Sequence, residues 1–514
     1  MKSSVHFLLF AFVAVLFESG CNGTYQTTTR SELRELSGQG PIRVLTVDSL
    51  LYTFERFSFS TSELTGHGTL KQEGTVSAFE GTIPFARIVF IERLESSFWK
   101  GAWVIPMAAG VVAGLSAFSE PSKLEIRRPS GGSCPSLYAF NGTEFILEGE
   151  AFGTSISRSL EAKTFTVLPS LVSTRDRLLV RVDNDRPETH LINSVQLLAG
   201  DAEGAQSTVL DVNNVLWPVF HAVSPAAARD HSGRNALNAL AGKDGHFWMS
   251  DLAYTAPFSG FRDHIEIEFD VPQSRSEATL IVKAINTDLI TEVYRSVGEI
   301  LGDATLEFYR ALEEEPELQS TIRKWIRESS LRIEVDSGRG WEETGVIAPE
   351  ATMVPFSRAI RINGLDNIQG RLRVRLSTMT DVWRIDAVSV DFSPASPISL
   401  HPLKMISVTS SDGMDWQNAI TLADSSYALI LPPHHLDISF DAGITLHMQK
   451  PVYTLAAQGY LYEWFPAAAE SPASMFASTS ITGDNRVELF KTLIQQKDML
   501  LPAIYAKWSA RPRD

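Results

Sequence analysis

The sequence predicts a mainly β protein: two or more antiparallel β-sandwich domains with a helical segment between them. Three observations carry this reading. Short runs with period-two alternation and β-branched residues recur between turns bearing Gly and Pro, over residues 41–95, 124–285 and 331–442. From Asp288 to Ile326 the apolar spacing changes to three and four residues, the period of a helix. A chain of 514 residues, 44% hydrophobic and 21% charged, has the material for several packed cores, about three at roughly 150 residues each. This composition excludes a disordered chain, collagen and a polytopic membrane protein. The net charge of −16, from 45 Lys+Arg against 61 Asp+Glu, repels a phosphate backbone and argues against nucleic acid as a partner.

Residues 1–20 have the layout of a secretory signal peptide: Met1-Lys2, an apolar run from Phe7 to Phe17 too short to span a bilayer, then Glu18-Ser19-Gly20-Cys21. Ser19-Gly20-Cys21 resembles a bacterial lipobox, which makes Cys21 the expected lipidation site. Glu18 departs from that pattern, where an aliphatic residue is usual, and cleavage after Gly23 without lipid is the competing reading. Residues 21–97 then hold a polar linker and a small β-domain, with strands at Ile42–Val44, Leu51–Phe54, Phe57–Phe59 and Arg87–Ile91, punctuated by Gly66, Gly68, Gly74 and Gly81. Residues 98–120 contain an uncharged run, 101–118, close to the ~20 residues of a spanning helix. Its competing reading is a buried small-residue helix, favoured by Pro106 and by the Ala and Gly content; the absence of a polar face tips the balance to a membrane-facing segment.

Residues 121–286 read as a β-sandwich, with strands at Leu178–Val182, Ser194–Leu197, His264–Phe269 and Thr279–Lys283, and a long loop over 224–243. Residues 287–330 read as a helical connector whose last stripe is Leu318, Ile322, Trp325 and Ile326, a domain-packing surface. Residues 331–442 read as a second, jelly-roll-like sandwich. There Leu372, Val374 and Leu376 face inward while Arg371, Arg373 and Arg375 face outward. Residues 443–514 hold an aromatic patch, Tyr453, Tyr460, Tyr462, Trp464 and Phe465, and a C-terminal helix through Val487, Phe490, Leu493 and Ile494. The run Arg177–Val182 followed by Leu191–Leu197 echoes Arg371–Leu376 followed by Trp383–Val390, as two related sandwiches would.

Several stretches, in this order, resemble a family of uncharacterised bacterial extracytoplasmic proteins and lipoproteins: Ser133-Cys-Pro-Ser-Leu-Tyr138, Ala278 to Tyr294, Gly340-Trp341, Trp383-Arg-Ile-Asp386, Leu431-Pro-Pro433 and Gly459 to Trp464. The resemblance implies a β-rich protein of the bacterial cell envelope, extracytoplasmic and membrane-anchored. It supplies no reaction and no catalytic residue.

The chain contains no HExxH, GxSxG, Walker loop or helix-opening GxGxxG. Ser97-Phe-Trp-Lys100 matches SxxK without its partner motifs. Cys134, the one cysteine besides Cys21, has no nearby His or cation in sequence to lower its pKa and reads as a buried small hydrophobe. His434-His435 reads as a loop entering a strand rather than a metal site, because adjacent strand residues point apart. Asp183-Asn-Asp185 with Glu188 offers oxygen ligands but reads as a turn, lacking EF-hand spacing. Trp383 reads as core. Trp341 and Trp416 are the candidate ligand-binding residues, as rings able to stack on a sugar if exposed. The expectation is therefore a non-enzymatic envelope lipoprotein, with no cofactor and no metal, that binds a protein or glycan partner or scaffolds a complex. It meets the membrane through a lipid anchor and the 101–118 segment. The alternative is a carbohydrate-binding protein using the 331–442 sandwich; a hydrolase needs a cleft with convergent carboxylates, which leaves no mark in sequence.

Overall fold

The computed structural model describes residues 24–27, 41–95, 134–250, 261–290 and 305–464, apart from 49, 61–62, 73–74, 274, 337 and 366–369. The expected signal peptide, Cys21, Ser97–Lys100, the 101–118 run, residues 291–304 of the expected helical connector and the expected C-terminal helix lie outside the described residues. Among those described, no helix is long and apolar enough to cross a membrane.

The chain divides into two compact units. The first contains one antiparallel sheet of β1 (Thr24–Thr27), β2 (Ile42–Thr46), β3 (Leu51–Phe59), β4 (Glu63–Gln72), β5 (Thr75–Pro84) and β6 (Ile88–Glu95), in the order β1-β6-β2-β3-β4-β5. Ile42, Val44, Phe54, Leu64, Ile83 and Ile91 form its core. Arg43 and Glu92 stand directly opposite each other on β2 and β6 and form a buried ion pair.

The second unit starts with β7 (Ser136–Phe140), β8 (Phe145–Glu150), β9 (Ala162–Val167), β10 (Arg177–Asp183) and β11 (Glu188–Asp201). The next twelve strands are β12 (Ser207–Asp211), β13 (Leu216–Val219), β14 (Ala222–Val223), β15 (Ala227–Asp230), β16 (Trp248–Met249), β17 (Arg262–Asp270), β18 (Glu277–Asn286), β19 (Leu331–Asp336), β20 (Trp341–Ile347), β21 (Phe356–Asn363), β22 (Arg371–Met379) and β23 (Trp383–Asp391). Between β18 and β19 come helices α1 (Thr305–Glu314), whose residues 305–308 fall in the first unit, and α2 (Pro316–Ser329). The chain ends with β24 (His401–Pro402), β25 (Met405–Ser410), α3 (Gln417–Thr421), β26 (Ala428–Ile430), β27 (His435–Asp441) and β28 (Pro451–Glu463).

Pairing corrects the expected domain order. The strands do not form one sandwich over 121–286 and a second over 331–442; one sandwich is inserted into the other. The outer one pairs early strands with late ones, in sheets β25-β27-β10-β7-β8 and β24-β11-β28-β9, with β26 also on β11. The inserted one uses only the middle of the chain, in sheets β13-β12-β21-β18-β23-β14, with β16 on β23, and β15-β17-β22-β19-β20. The expected jelly roll over 331–442 is thus divided, since β25 to β27 belong to the outer sandwich. The aromatic segment is β28, a 13-residue strand in mid-sheet beside β11. Within the expected loop over 224–243, Ala227–Asp230 is a short strand on β17.

Sheets face each other closely in both sandwiches. A Cβ on Gly149 of β8 would lie 2.6 Å from Thr166 of β9, and one on Gly345 of β20 would lie 2.5 Å from Ile360 of β21, so a larger residue at either position would displace the facing side chain. The sequence echo has a structural counterpart: β10 and β22 are each third of five strands, and each is followed by a strand of the opposing sheet.

Alternation positions the side chains as expected on β22. Leu372, Val374 and Leu376 are fully buried. Arg371, Arg373 and Arg375 stand opposite Asp270, Glu268 and Glu266 of β17 and form an ion-paired outer face. Trp383 is fully buried and donates through Nε1 to Ser329 O at the end of α2, 2.8 Å away. Leu318, Ile322 and Trp325 form the buried stripe of α2.

This difference between the faces of β22 predicts unequal costs. Leu376→Ala should lower stability by about 2–5 kcal/mol, whereas Arg373→Ala, whose side chain is 43% exposed, should cost no more than about 1 kcal/mol. Urea denaturation of the two variants checks this; equal losses would contradict the inward assignment of Leu376.

Candidate functional site

The turn from β10 to β11 carries the chain from one sheet of the outer sandwich to the other, and it concentrates buried polar groups. Asn184 builds it: Nδ2 donates to Glu188 O at 2.9 Å and Ile430 O at 2.8 Å, and Oδ1 accepts from Arg186 N at 3.2 Å. This settles Asp183-Asn-Asp185 as turn chemistry, with Asn184 fully buried. The turn directs Arg186 inward, where Nη2 donates to Glu150 Oε1 at 3.3 Å and meets Met353 Sδ. Glu150 Oε2 accepts from Thr352 N at 2.6 Å. Glu188 and His190, two apart on β11, share a face, with Glu188 Oε2 3.0 Å from His190 Nε2.

Burial dominates the electrostatics here. It pushes the Glu188 carboxyl up to about 8, with Arg186 opposing and Asp185 reinforcing the rise. It pulls His190 down to about 3, helped by the Arg186 charge. Near neutral pH the pair is therefore a carboxylic acid donating to a neutral imidazole. Burial opposes the Arg186 charge, but Glu150 and the other surrounding acids outweigh it and raise its pKa; Glu150 is itself raised by burial, with Arg186 and the Thr352 N–H opposing. Cys134 is buried, and burial pushes its thiol well above the usual range, with Glu150 and Glu188 adding to the rise. Such a thiol is inert as a nucleophile, in line with its reading as a small hydrophobe. With Glu188 only 2% exposed and His190 1%, both groups of the pair are sealed from solvent.

A cleft opens beside the cluster, at the seam of the two sandwiches. The strap from Glu350 to Arg358 belongs to the inserted sandwich and is tied to the outer one at both ends: Thr352 N to Glu150, and Arg358 Nη2 to Phe165 O of β9 at 2.9 Å. Arg358 also grips Glu350 with Nε at 2.7 Å and Nη2 at 2.6 Å, a bidentate pair with little solvent contact. The cleft has a volume of ≈ 420 Å³, and Glu148, Val167, Thr208, Phe356, Arg358 and Lys450 are among its lining residues. β12 joins β21 in a short parallel pair registered only at Leu210 and Asp211, so Ser207 to Val209 face the cleft outside that ladder. A hollow of ≈ 200 Å³ shares Glu350 and Arg358 with the cleft and is also lined by Glu150.

The sequence-predicted ligand rings are elsewhere. Trp416 is 6% exposed at the start of α3, so the expectation of an exposed stacking ring is corrected: its faces are in the core. Trp341 lies on edge strand β20 and is partly exposed, but guanidinium groups cover it, Arg375 at 4.1 Å and Arg373 at 5.2 Å from the ring centroid. His435 begins β27, and the described residues hold no group of three or more His, Cys, Asp or Glu able to bind a metal. Glu148, Glu150, Arg186, His190, Glu350, Arg358 and Lys450 escaped the sequence reading. One signal was available: Glu188 and His190 occupy alternate positions at the head of the apolar strand Leu191–Leu197, which marks inward polar groups.

No family model and no curated protein matches the chain. Two solved structures align with 66% of it: one of Sulfolobus turreted icosahedral virus at 7% identity, 99% of that chain and TM-score 0.14, and one of a triple jelly roll and turret assembly in an archaeal virus at 9%, 98% and 0.13. Similarity at this level carries no argument about the fold or function of this chain.

The Glu188–His190 pair predicts a stability optimum. The folded state keeps the Glu188 proton to about 8 while the unfolded chain loses it near 4.3, so stability falls between those values. The folded state loses the His190 proton near 3 but the unfolded chain keeps it to about 6.5, so stability rises between those values. The two slopes cancel from about pH 4.3 to 6.5, which leaves a plateau with a fall on either side. Glu188→Gln should flatten the fall above pH 6.5, and urea midpoints measured against pH decide; an unchanged slope contradicts the raised carboxyl.

Proposed function

We propose that this chain is a non-enzymatic cell-envelope lipoprotein, anchored through lipid on Cys21, that binds a partner in the cleft at the seam of its nested sandwiches. The observation that carries the binding half is the cleft itself, walled by both sandwiches, so that an occupant touches both and fastens one to the other. Two further facts favour binding over turnover. The strongly shifted Glu188 is sealed from solvent, and Glu350 has both carboxylate oxygens held by Arg358. The anchor rests on the apolar run ending in Ser19-Gly20-Cys21, and the uncharged 101–118 run adds a second contact with the bilayer.

Photo-crosslinking in intact cells tests the binding site. A benzoylphenylalanine at Gln206, an exposed residue of the cleft lining, should give a discrete adduct, and one at Thr344 on exposed edge strand β20 should give none. No adduct from position 206, or the same adduct from both, overturns the reading. For the anchor, radioactive palmitate should label the chain and the label should vanish in Cys21→Ser; label that persists sinks the lipid assignment. A chain beginning at Thr24 behind a cleavable non-lipid signal should still require detergent. Full recovery without it removes residues 101–118 from the membrane.

A further inference from the structure

The charges around the cleft do not balance locally, and this bears on what fits there. Arg358 and Glu350 neutralise each other, but two other lining residues lack an opposite charge among the described residues. Glu148 is half-buried on β8, edge strand of its sheet, and one oxygen, Oε1, is fixed by Ser170 N at 2.8 Å. Lys450, an exposed residue just ahead of β28, points its ammonium at the neutral carbonyls of Ala205 and Gln206, the latter at 3.1 Å, and forms no ion pair among the described residues. Both residues line the same cavity. The lining also includes the apolar residues Val167, Leu168, Leu171, Val209, Phe356 and Val452.

Two backbone stretches flank this cavity outside a complete ladder. β9 ends its sheet, and of the residues whose amide groups alternation turns to its open side Val167 lines the cleft, while Phe165 O accepts from Arg358. β12 leaves its pairing with β21 over Ser207 to Val209. A ligand with an ammonium, a carboxylate, apolar side chains and amide groups between them matches every one of these features. Three extended residues span roughly 10 Å, and the volume lies within the usual 300–1,000 Å³ of ligand sites.

We propose that the seam cleft is a binding site for a short, apolar peptide with free ends, its ammonium at Glu148, its carboxylate at Lys450 and its backbone beside Val167 and Ser207 to Val209. This rests on the seam cleft being the binding site and adds the chemical class of the ligand. A neutral oligosaccharide would leave both charges unanswered, at the cost that unmatched charged groups carry when a ligand displaces their water.

The test is calorimetric titration of the purified full chain with the tripeptide Ala-Leu-Ala, its N-acetylated form, its C-terminal amide and chitotriose. Ala-Leu-Ala should bind, N-acetylation should weaken it at least about ten-fold, and Glu148→Gln should weaken the free tripeptide equally while leaving the acetylated form unaffected. Lys450→Met should erase the preference for the free carboxylate over the amide, and circular dichroism confirms that both variants are folded. Absence of tripeptide binding, indifference to N-acetylation, or binding of chitotriose alone overturns the peptide assignment. A cleft that crosslinks at position 206 in cells yet ignores the tripeptide overturns this assignment alone; failure to crosslink overturns the binding site beneath it.

Discussion

The structure of the larger unit depends on one constraint: the chain must return to β11 after building a whole sandwich. It does so where Leu198 and Ala199 of β11 stand opposite Pro402 and His401 of β24, and Leu403 N donates to Leu197 O at 2.8 Å. The strands entering and leaving the insertion are thus paired with each other. Beyond that point β11 takes β28 along thirteen registered residues and β10 takes β27 along seven. Closing so long a loop is cheaper than it looks, because each doubling of its length costs only about 0.6 kcal/mol. An insertion whose ends emerge side by side leaves the host sheets undistorted. The larger consequence is kinetic: the β11–β28 and β10–β27 pairings join residues far apart in sequence, which places this topology among the slowly folding ones.

The same nesting explains where polar groups had to be buried. The turn that lifts the chain from β10 to β11 crosses between sheets inside the outer sandwich, and its Asn184 satisfies backbone groups that no ladder can reach. Arg186 and Glu150 then face each other in the interior, and Glu150 reaches the Thr352 amide of the inserted sandwich. Buried ion pairs contribute little net stability, but removing one partner is severe. Such a pair tolerates one arrangement of its neighbours, so the Glu150–Thr352 and Arg358–Phe165 bonds fix the strap, and with it the shape of the cleft.

Ion pairing also decides what the outer faces offer. Each guanidinium of β22 has a carboxylate of β17 opposite it, and Arg373 and Arg375 lie over Trp341. The ring that looked like a sugar platform is the apolar floor of a charge ladder. At the cleft the pattern reverses, with Glu148 and Lys450 lacking opposite charges among the described residues. The difference follows from position, because partners across a ladder are regularly spaced while partners across a seam depend on how two sheets meet.

Much of the local structure was legible from the residues. Alternation located β10, β17, β18, β19, β22 and β23 and assigned the faces of β22; the stripe of Leu318, Ile322 and Trp325 located α2; Trp383 read correctly as core and Cys134 as a buried hydrophobe. These features depend on side chains within one element, and a period of two or 3.6 records them directly. Partner choice left no such record. The pairing of β11 with β28 joins residues far apart in sequence, and any apolar strand would satisfy the same pattern, so two nested sandwiches read as two consecutive ones. Tertiary structure alone placed Trp416 in the core, covered Trp341 with arginines, and gathered Glu148, Glu350, Arg358 and Lys450 at one cleft. A charge or a ring has a function only in relation to what faces it, and what faces it is fixed by which sheets pack together.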